Sequence, residues 1–338
     1  MKRVLIVTRD PVISFRQMPG GVDHTPGGEY QFFINETDAE VDFVVVVGKG
    51  LRVPTEFRVA QQNTILMTGE PHSILEYPKG YCSQFGLVCA CQPEIKGANV
   101  VYTPPLLPWY VGVDFSQNSD NRFTMNYEDV KRATPEKTKL ISVISSDKAF
   151  SQGHVDRLRF IRMLKRQYGD SVDIFGRGYR EFRDKWNVLA PYKYHIVIEN
   201  STTDYYFTEK LFDCYLAGAY PIYHGCRNIA DYYPQEAMTC IDIRNVEESF
   251  RTIDRVVRSQ EYEKKQAILT QCKQLSMTKY NLFQQIADAC NRLDAKACKQ
   301  PVTLQPAAHF FSLHNLWLYT VGRNYYKFKG CRYREQLK

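Results

Sequence analysis

The chain has 338 residues, a length typical of about two domains of roughly 150 residues each. Apolar residues make up 44% and charged residues 24%, a mixture that excludes wholesale disorder and collagen-like sequence. Lysine and arginine number 44 against 37 aspartates and glutamates, so the formal net charge is +7. This excess suits an anionic small molecule, a nucleic-acid backbone or an anionic membrane surface, and it does not choose among them.

No apolar run is long enough to predict a membrane span or a secretory signal. The longest uninterrupted runs cover residues 43–47 and 87–91, whereas a bilayer span needs about 20 residues. Only the four apolar residues 4–7 precede the next charge at the N-terminus, and a signal needs roughly 7–15. The acceptor triplet Asn200-Ser201-Thr202 would be a glycosylation hazard in the secretory pathway. These features predict a soluble, cytoplasmic protein.

The 10 cysteines are scattered along the chain. Only Cys89 and Cys91 lie close together, and no pair has the Cys-x-x-Cys spacing of a structural zinc site. Cys214 and Cys290 fall within apolar helical patterns, which is typical of free, buried thiols. We therefore predict no metal site.

Residues 1–137 form the predicted N-terminal domain, in which short β-branched runs are separated by glycine, proline or charge. Five such runs predict strands, at 4–8, 41–47, 64–68, 86–90 and 99–102. A glycine-rich loop at 18–28 follows the first strand but lacks the spacing of a dinucleotide-binding loop. The polar segment 115–138 is the predicted linker.

Residues 138–300 form the predicted C-terminal domain, in which strands and helices alternate. The predicted strands lie at 140–145, 172–176, 194–200 and 221–224, and the first helices at 155–168 and 208–217. Further helical patterns run from 246 to about 293. Alternation with continuously apolar strands predicts an α/β fold whose parallel sheet is covered on both faces.

Residues 301–338 form a predicted aromatic and basic tail. Aromatic residues such as Trp317 precede a part that contains six basic residues and a single acid, Glu335. The basic residues are Arg323, Lys327, Lys329, Arg332, Arg334 and Lys338. Such a segment suits peripheral attachment to an anionic leaflet on the inner face of the membrane. It also suits a final helix that packs back across the two domains, which we favour.

The segment 194–212 carries most of the chemical information, as a strand, a polar loop and a helix. Its apolar run ends at Glu199-Asn200, where the carboxyl edge of a parallel sheet is expected, and ligands bind at that edge. Thr208 is a suitable N-cap, and Gly218 is a suitable C-cap. The helix therefore presents free N–H groups and partial positive charge to the crevice, as an anion site does.

Two charged side chains occupy the first turn of this predicted helix. Lys210 adds a full positive charge that its own helix dipole disfavours, as a diphosphate site would need. Glu209 beside it can accept hydrogen bonds from sugar hydroxyls. On spacing alone, a solvated pair in an exposed first turn is the more ordinary interpretation.

A series of motifs over residues 192–234 resembles the hallmark motif of the α1,3/1,4-fucosyltransferases, glycosyltransferase family 10. The series is Tyr192-Lys193-Tyr194, Glu199-Asn200-Ser201, Asp204-Tyr205, Thr208-Glu209-Lys210-Leu211, Ala217-Gly218 and Pro221-Ile222. The resemblance implies a GT-B fold, with two Rossmann-like domains whose parallel sheets face each other across a cleft. Residues 1–137 would then be the acceptor-side domain, and residues 138–300 the GDP-sugar-binding domain. It also implies GDP-fucose as donor, inversion at the anomeric carbon, no cofactor, and donor binding without a metal.

The resemblance also implies roles for individual residues. The donor would be bound by Arg157, Asn200, Tyr206, Glu209 and Lys210, with Glu199, Ser201 and Thr208 as secondary candidates. Arg157 shares its helix with four other basic residues, so only the resemblance singles it out. The segment 67–73 looks like the family's strand-end glutamate, which makes Glu70 the general base and His72 the fallback.

The chain departs from the family pattern in the sugar-facing part of the pocket. Phe212-Asp213-Cys214 follows the Thr-Glu-Lys triplet, and residues 223–227 stand where a Gly-Pro pair is usual. A transferase of the same fold that uses a different nucleotide sugar is therefore the first alternative. A non-catalytic glycan- or nucleic-acid-binding module is the second, although no nucleic-acid-binding signature is present. We expect a nucleotide sugar and a galactose/N-acetylglucosamine-type glycan acceptor as partners, and no nucleic acid.

Overall fold

The structure of the protein, a computed structural model, describes residues 1–36, 40–117 and 122–334. Part of the predicted linker, residues 118–121, lies outside the described residues, as do Glu335 and Lys338 of the predicted tail. Two parallel sheets, each with its own apolar core, make up the framework of the α/β fold. None of the helices within the described ranges is long and apolar enough to cross a bilayer.

The first sheet contains six parallel strands in the order β2-β1-β3-β5-β6-β7. The strands of this half are β1 Lys2–Val7, β2 Tyr30–Ile34, β3 Phe43–Val47, β4 Thr55–Val59, β5 Thr64–Met67, β6 Leu87–Ala90 and β7 Val100–Tyr102. The five predicted strands correspond to β1, β3, β5, β6 and β7, whereas β2 and β4 were not predicted. Strand β3 is apolar throughout and almost fully buried, as a central strand with two covered faces must be.

The second sheet contains five parallel strands in the order β12-β11-β10-β8-β9. These are β8 Lys139–Ile144, β9 Asp173–Phe175, β10 Tyr192–Ile198, β11 Tyr220–His224 and β12 Thr239–Cys240. A further strand, β13 Gln300–Leu304, pairs antiparallel with β4. The alternation of strands and helices predicted for this half is therefore confirmed.

Eleven α-helices lie within the described ranges. Those before β10 are α1 Lys79–Ser83, α2 Tyr127–Arg132, α3 Gln152–Tyr168 and α4 Trp186–Leu189. Those after it are α5 Glu209–Leu216, α6 Val246–Arg258, α7 Glu261–Lys264, α8 Gln266–Met277, α9 Leu282–Cys290, α10 Leu313–Trp317 and α11 Arg323–Arg334. A π-helical turn, Leu318–Gly322, joins α10 to α11.

The two faces of the first sheet are covered by residues from the far end of the chain. Helix α9 packs Phe283 and Ile286 on one face, where the Phe283 ring lies 5.2 Å from that of Phe32. The other face is covered by α1 together with residues 302–311. Residues 282–290 therefore pack with the first sheet, although the predicted C-terminal domain runs to residue 300. An apolar stripe shows that a helix buries one face, and it does not show which sheet that face meets.

The C-terminal helices lie across both halves of the molecule. Phe311 and Tyr319 pack on the first core, and Tyr326 and Tyr333 pack on the region around α3. A Cβ atom at Gly330 would lie 2.5 Å from the Cβ of Ala149, so only glycine permits this close approach. The final helix thus packs back across both halves, as the sequence analysis favoured.

We expect Phe283→Ala to lower the free energy of unfolding by about 3–5 kcal/mol, because it leaves a cavity between α9 and the first sheet. The control Gln284→Ala changes an exposed residue of the same helix and should stay within about 0.5 kcal/mol. Urea unfolding of both variants measures the difference. Equal stability of the two variants would contradict the packing of α9 on this sheet.

Candidate active site

The carboxyl edges of the two parallel sheets face a common cleft. A cavity of about 770 Å³ lies at the edge of the second sheet, where residues that follow β8, β9 and β10 meet the first turn of α5. The chain leaves β8 toward β9 on one side and returns through β10 on the other. This change of direction opens a crevice between β8 and β10, which is where open α/β sheets bind ligands.

Arg157 spans this crevice from helix α3. Its Nη1 donates to Asn200 Oδ1 at 2.8 Å, beyond the end of β10. Its Nη2 donates to the Ser146 carbonyl oxygen at 3.2 Å, beyond the end of β8. Arg157 is only 5% exposed, and burial lowers its pKa to about 10, so the guanidinium remains charged at neutral pH. Its Nε is buried and has no protein partner within the described residues.

The N-terminus of α3 is pressed against the end of β10. A Cβ atom at Gly153 would overlap the carbonyl oxygen of Asn200, so glycine is required for this approach. The N-cap Ser151 directs its hydroxyl to His154 Nδ1 at 2.8 Å, and its side chain makes no capping bond to the helix backbone. The free N–H groups of α3 therefore add partial positive charge beside Arg157 and Asn200.

Glu199 organises the second half of the crevice from a fully buried position. Its carboxylate accepts the Thr208 N–H at 2.7 Å and the Thr208 hydroxyl at 2.8 Å. It also accepts Lys210 Nζ at 3.0 Å. Thr208 is the predicted N-cap of α5 and accepts the Lys210 N–H through its own hydroxyl oxygen. Glu199 thus fixes the N-terminus of α5 and aims Lys210 along the cleft.

Lys210 and Glu209 are not a solvated pair, so the ordinary interpretation of their spacing is wrong. Their side chains are 26% and 12% exposed, and they lie 3.8 Å apart. Burial alone would lower the pKa of Lys210, but Glu199 and Glu209 together raise it. Burial alone would raise the pKa of Glu209, but Lys210 and Lys185 bring it down to about 2. Both groups are therefore charged at neutral pH and line the cavity.

A buried lysine that the sequence analysis missed completes the charge balance. Lys185 Nζ donates to Asp213 Oδ2 at 2.7 Å and to Glu209 Oε1 at 3.4 Å. Asp213 also accepts the backbone N–H groups of Tyr110 and Val111, which ties the segment between the sheets to α5. Glu209 and Asp213 are acids one helical turn apart on a buried face, a like-charge pair that needs a cation. That pattern could have predicted a buried cation, although not its position.

Two further predicted residues lie in the loop between β10 and α5. Tyr206 is only 1% exposed, and burial raises its pKa well above the usual value. It therefore stands behind the cavity wall. Ser201 is half-buried, and its hydroxyl pairs with that of Thr203 at 3.3 Å. The neighbouring Tyr205 adopts a left-handed backbone conformation and stacks on Tyr102 of the first sheet, with ring centres 5.1 Å apart.

Glu70 lies across the cleft, just beyond the end of β5. Gln92 Nε2 donates to the Glu70 carbonyl oxygen at 2.7 Å and so fixes the backbone. The Glu70 residue is exposed at the cleft; partial desolvation among its neighbours raises its pKa, and the charge of Lys210 opposes that shift. His72 is half-buried in the following turn, within 71–74. The structure thus brings Glu70 into the electrostatic range of the predicted donor residues.

Metal-ligating side chains do not gather in this cleft. Over the described ranges 1–36, 40–117 and 122–334, no group of three His, Cys, Asp or Glu side chains could hold a metal ion. The expectation that no cofactor is needed stays a prediction. Arg157 and Lys210 are cations that line the cavity and could bind an anionic ligand.

The fold agrees with that of glycosyltransferases. A solved α1,3-fucosyltransferase structure is 16% identical over 79% of this chain and 80% of that chain, with a TM-score of 0.50. An α1,3-fucosyltransferase structure with GDP-fucose is 16% identical over 79% and 81%, with a TM-score of 0.48. A lipopolysaccharide outer core galactosyltransferase is 9% identical over 87% and 100%, with a TM-score of 0.47. The first of these likenesses shows the fold, which is that of the GT-B glycosyltransferases.

Family membership rests on the second half of the chain. Residues 134–304, half of the sequence, match the C-terminal domain of glycosyltransferase family 10 (fucosyltransferase). The chain therefore belongs to glycosyltransferase family 10, as the motif series over residues 192–234 predicts. No curated protein matches the chain.

We expect Lys185→Met to lower the free energy of unfolding by about 3–5 kcal/mol at pH 7, because it leaves Glu209 and Asp213 buried together without a cation. Ionised Glu209 stabilises the native fold above its ordinary pKa of 4.5, and this contribution is lost only as the pH falls toward about 2. Without Lys185 the acid pair takes up a proton at higher pH. Urea unfolding at a series of pH values should show that Lys185→Met begins to lose stability at a higher pH than the wild-type protein does.

The matched control is Lys193→Met, which breaks the surface ion pair with Glu263, where the side chains are 35% and 39% exposed. That change should cost less than about 1 kcal/mol and leave the pH profile in place. If both variants behaved alike, Lys185 would have no special part in holding Glu209.

Proposed function

We propose that the protein transfers fucose from GDP-fucose to a hydroxyl group of a galactose/N-acetylglucosamine-type glycan. The linkage formed is α1,3 or α1,4, and the anomeric carbon is inverted. The observation that carries the proposal is a pair of cations in the crevice between β8 and β10, the buried Arg157 of α3 and the half-buried Lys210 of α5. Arg157 is held by Asn200, and Lys210 is held by Glu199, so both charges are fixed before a ligand arrives.

The preorganised cations suit a diphosphate leaving group. Negative charge grows on GDP as its bond to the sugar breaks, and fixed positive groups in a desolvated cleft stabilise that charge without reorganising. Arg157, Asn200, Lys210 and the free N–H groups after Thr208 supply this environment. Because these cations already supply positive charge, we propose that donor binding needs no divalent metal.

The remaining site residues orient the reactants. Glu209 is ionised and aimed into the cavity, where it can accept hydrogen bonds from ribose hydroxyls. Tyr206 supports the loop that carries Asn200 and Thr208. Glu70 accepts the proton of the acceptor hydroxyl as its oxygen attacks the anomeric carbon on the face opposite GDP.

A peripheral membrane contact is proposed for the C-terminal helices. Five apolar residues recur every three or four positions and are 52–85% exposed, which marks one unpartnered face. They are Leu313, Trp317, Val321, Tyr325 and Phe328. Exposed Lys327 lies beside this face, so an anionic leaflet complements it in charge as well as apolarity. We propose attachment to the inner face of the membrane from the cytoplasm, where free cysteines such as those found here are usual.

Nucleotide selectivity tests the donor assignment. We expect GDP to raise the melting temperature of the protein, with and without EDTA, and UDP, ADP and CMP to have little effect. Stabilisation by another nucleotide would favour the transferase with a different donor. Stabilisation by none would favour a non-catalytic binding module, and the fucosyltransferase proposal would fail.

The two fixed cations should matter for donor affinity. We expect Arg157→Ala and Lys210→Ala to raise the Kd for GDP by about tenfold or more, since each removes a charge-assisted contact to phosphate. The control Arg159→Ala removes an exposed cation from the same helix as Arg157 and should leave the Kd unchanged. Calorimetric titration measures all three. Equal Kd values for Arg157→Ala and the control would exclude Arg157 from the donor site.

Ionisation of Glu70 should determine how activity falls on the acid side of the pH–activity profile. The base acts only when ionised, and its raised pKa places the loss of activity above the ordinary glutamate pKa of 4.5 as the pH falls. We expect Glu70→Gln to lower kcat by about 10²–10⁴ with little change in the KM for donor, and to abolish this acid-side fall in activity. Glu94→Gln, an exposed acid of the same domain, is the control. An unchanged kcat for Glu70→Gln would remove Glu70 from the base role.

Vesicle co-sedimentation tests the membrane contact. The protein should bind vesicles of mixed phosphatidylglycerol and phosphatidylcholine more strongly than vesicles of phosphatidylcholine alone. The double variant Trp317→Gln/Phe328→Gln should lose this binding, whereas Val53→Gln, an exposed apolar residue elsewhere, should retain it. Equal binding by the two variants would overturn the assignment of this face.

A further inference from the structure

Basic residues gather at the carboxyl edge of the first sheet, beside Glu70. Arg9 follows β1, Lys49 follows β3 and Glu70 follows β5. These three strands are neighbours in a parallel sheet, so their carboxyl ends lie side by side, about 5 Å apart from one strand to the next. The two cations are therefore on the same edge of the cleft as the proposed base.

A third cation reaches this edge from helix α11. Arg323 Nη2 donates to the Ile74 carbonyl oxygen at 3.3 Å, within the segment that follows Glu70. The Arg323 guanidinium and Lys49 Nζ each lie 4.9 Å from the centre of the Tyr319 ring. Arg9 donates to the carbonyl oxygens of Gly50 and Leu51, directly after Lys49. The set of Arg9, Lys49 and Arg323 is called the edge cations below.

The edge cations are not neutralised by the protein itself. Within the described part of the chain, no carboxylate lies within 4 Å of any of the three, and their partners are carbonyl oxygens and aromatic rings. Two acids lie near: Glu76 is engaged by Asn315 and His314, and Glu70, the proposed base, interacts electrostatically with Arg323. Burial and then the charges of Arg323 and Arg9 lower the pKa of Lys49, as two like charges near an ammonium group must. Three cations beside the single carboxylate of Glu70 leave an excess of positive charge, which favours an anionic ligand.

We propose that the edge cations bind an anionic group of the acceptor, so that the acceptor class is a glycan that carries a carboxylate or a phosphate. The inference rests on the proposed function, because it assigns the substrate that Glu70 deprotonates. The donor diphosphate has cations of its own, Arg157 and Lys210, at the edge of the opposite sheet. The edge cations are thus available to the second substrate.

The orientation of Arg323 favours a glycan over a lipid surface. Arg323 is half-buried and packs against Tyr319 and Ile74, whereas Val321, in the π-helical turn that leads into α11, is 52% exposed. Residues two apart on a helix point in widely different directions. Arg323 therefore faces the cleft, while the exposed apolar face points elsewhere.

The test compares three matched acceptors with GDP-fucose as donor: N-acetyllactosamine, its 3′-sialylated form and its 6-phosphorylated form. We expect kcat/KM to be about tenfold or more higher for at least one anionic form, and 0.5 M salt to reduce this advantage. The two anionic forms distinguish a carboxylate from a phosphate ligand. Equal kcat/KM for all three acceptors would overturn the inference and leave the proposed transfer of fucose standing.

Variants then assign the preference to residues. Lys49→Gln and Arg323→Gln should each reduce the ratio of anionic to neutral kcat/KM by about tenfold, and Lys49→Arg should restore it. Lys264→Gln, which removes an exposed charge from α7, should leave the ratio unchanged. Melting curves confirm that each variant is folded. The inference would be overturned if Lys49→Gln and Arg323→Gln left the ratio of anionic to neutral kcat/KM unchanged and abolished vesicle binding instead. The edge cations would then bind the membrane.

Binding measurements cover the case in which none of the three acceptors is fucosylated. Saturation-transfer NMR in the presence of GDP should detect the anionic glycans more strongly than the neutral one, and Lys49→Gln should remove the difference. Equal signals for the three glycans would overturn the inference. If GDP itself failed to bind, the proposed function would fail, and that outcome is recognised independently by calorimetry.

Discussion

The buried carboxylate of Glu199 is the constraint on which the site depends. A single charge in the interior holds the cap of α5 through Thr208 and the ammonium group of Lys210, and each of these contacts replaces the hydration that burial removed. Lys210 is placed at a helix N-terminus, where the helix dipole opposes it, and Glu199 offsets that cost. The cleft therefore contains a fixed positive charge at a position where an isolated helix would disfavour it.

A second set of contacts joins this charge centre to the rest of the molecule. Asp213 accepts two N–H groups from the segment between the sheets and the ammonium group of Lys185, so α5 is fixed relative to both halves of the chain. Tyr102 and Tyr205 stack across the cleft, and α11 packs against α3. The edges that carry Glu70 and Lys210 are thus held at a working distance by several independent contacts, as transfer between two bound substrates requires.

Much of the second half could be predicted from sequence, because its strands are continuously apolar and its motif series is dense. The N-cap role of Thr208 and the position of Asn200 at a strand end followed from local pattern. Lys185 could not be found in that way, since its partners on α5 are 24 and 28 residues away in sequence. The packing of α9 on the first sheet could not be predicted either, because periodicity identifies the buried face of a helix and not the element that this face contacts. Strand β2, rich in aromatic residues, lacked the β-branched run used to recognise strands.

The way the first sheet is covered has a consequence for synthesis of the protein. Its strands are complete by residue 102, yet Phe283, Ile286 and residues 302–311 close its two faces. On the ribosome, the amino-terminal half must wait for nearly the whole chain to be translated before its interior is shielded from water. The carboxyl-terminal sheet, by contrast, contains its own coverings and emerges able to fold at once. We therefore expect the first sheet to complete its packing after the second, with apolar strands that a chaperone could bind in the interval.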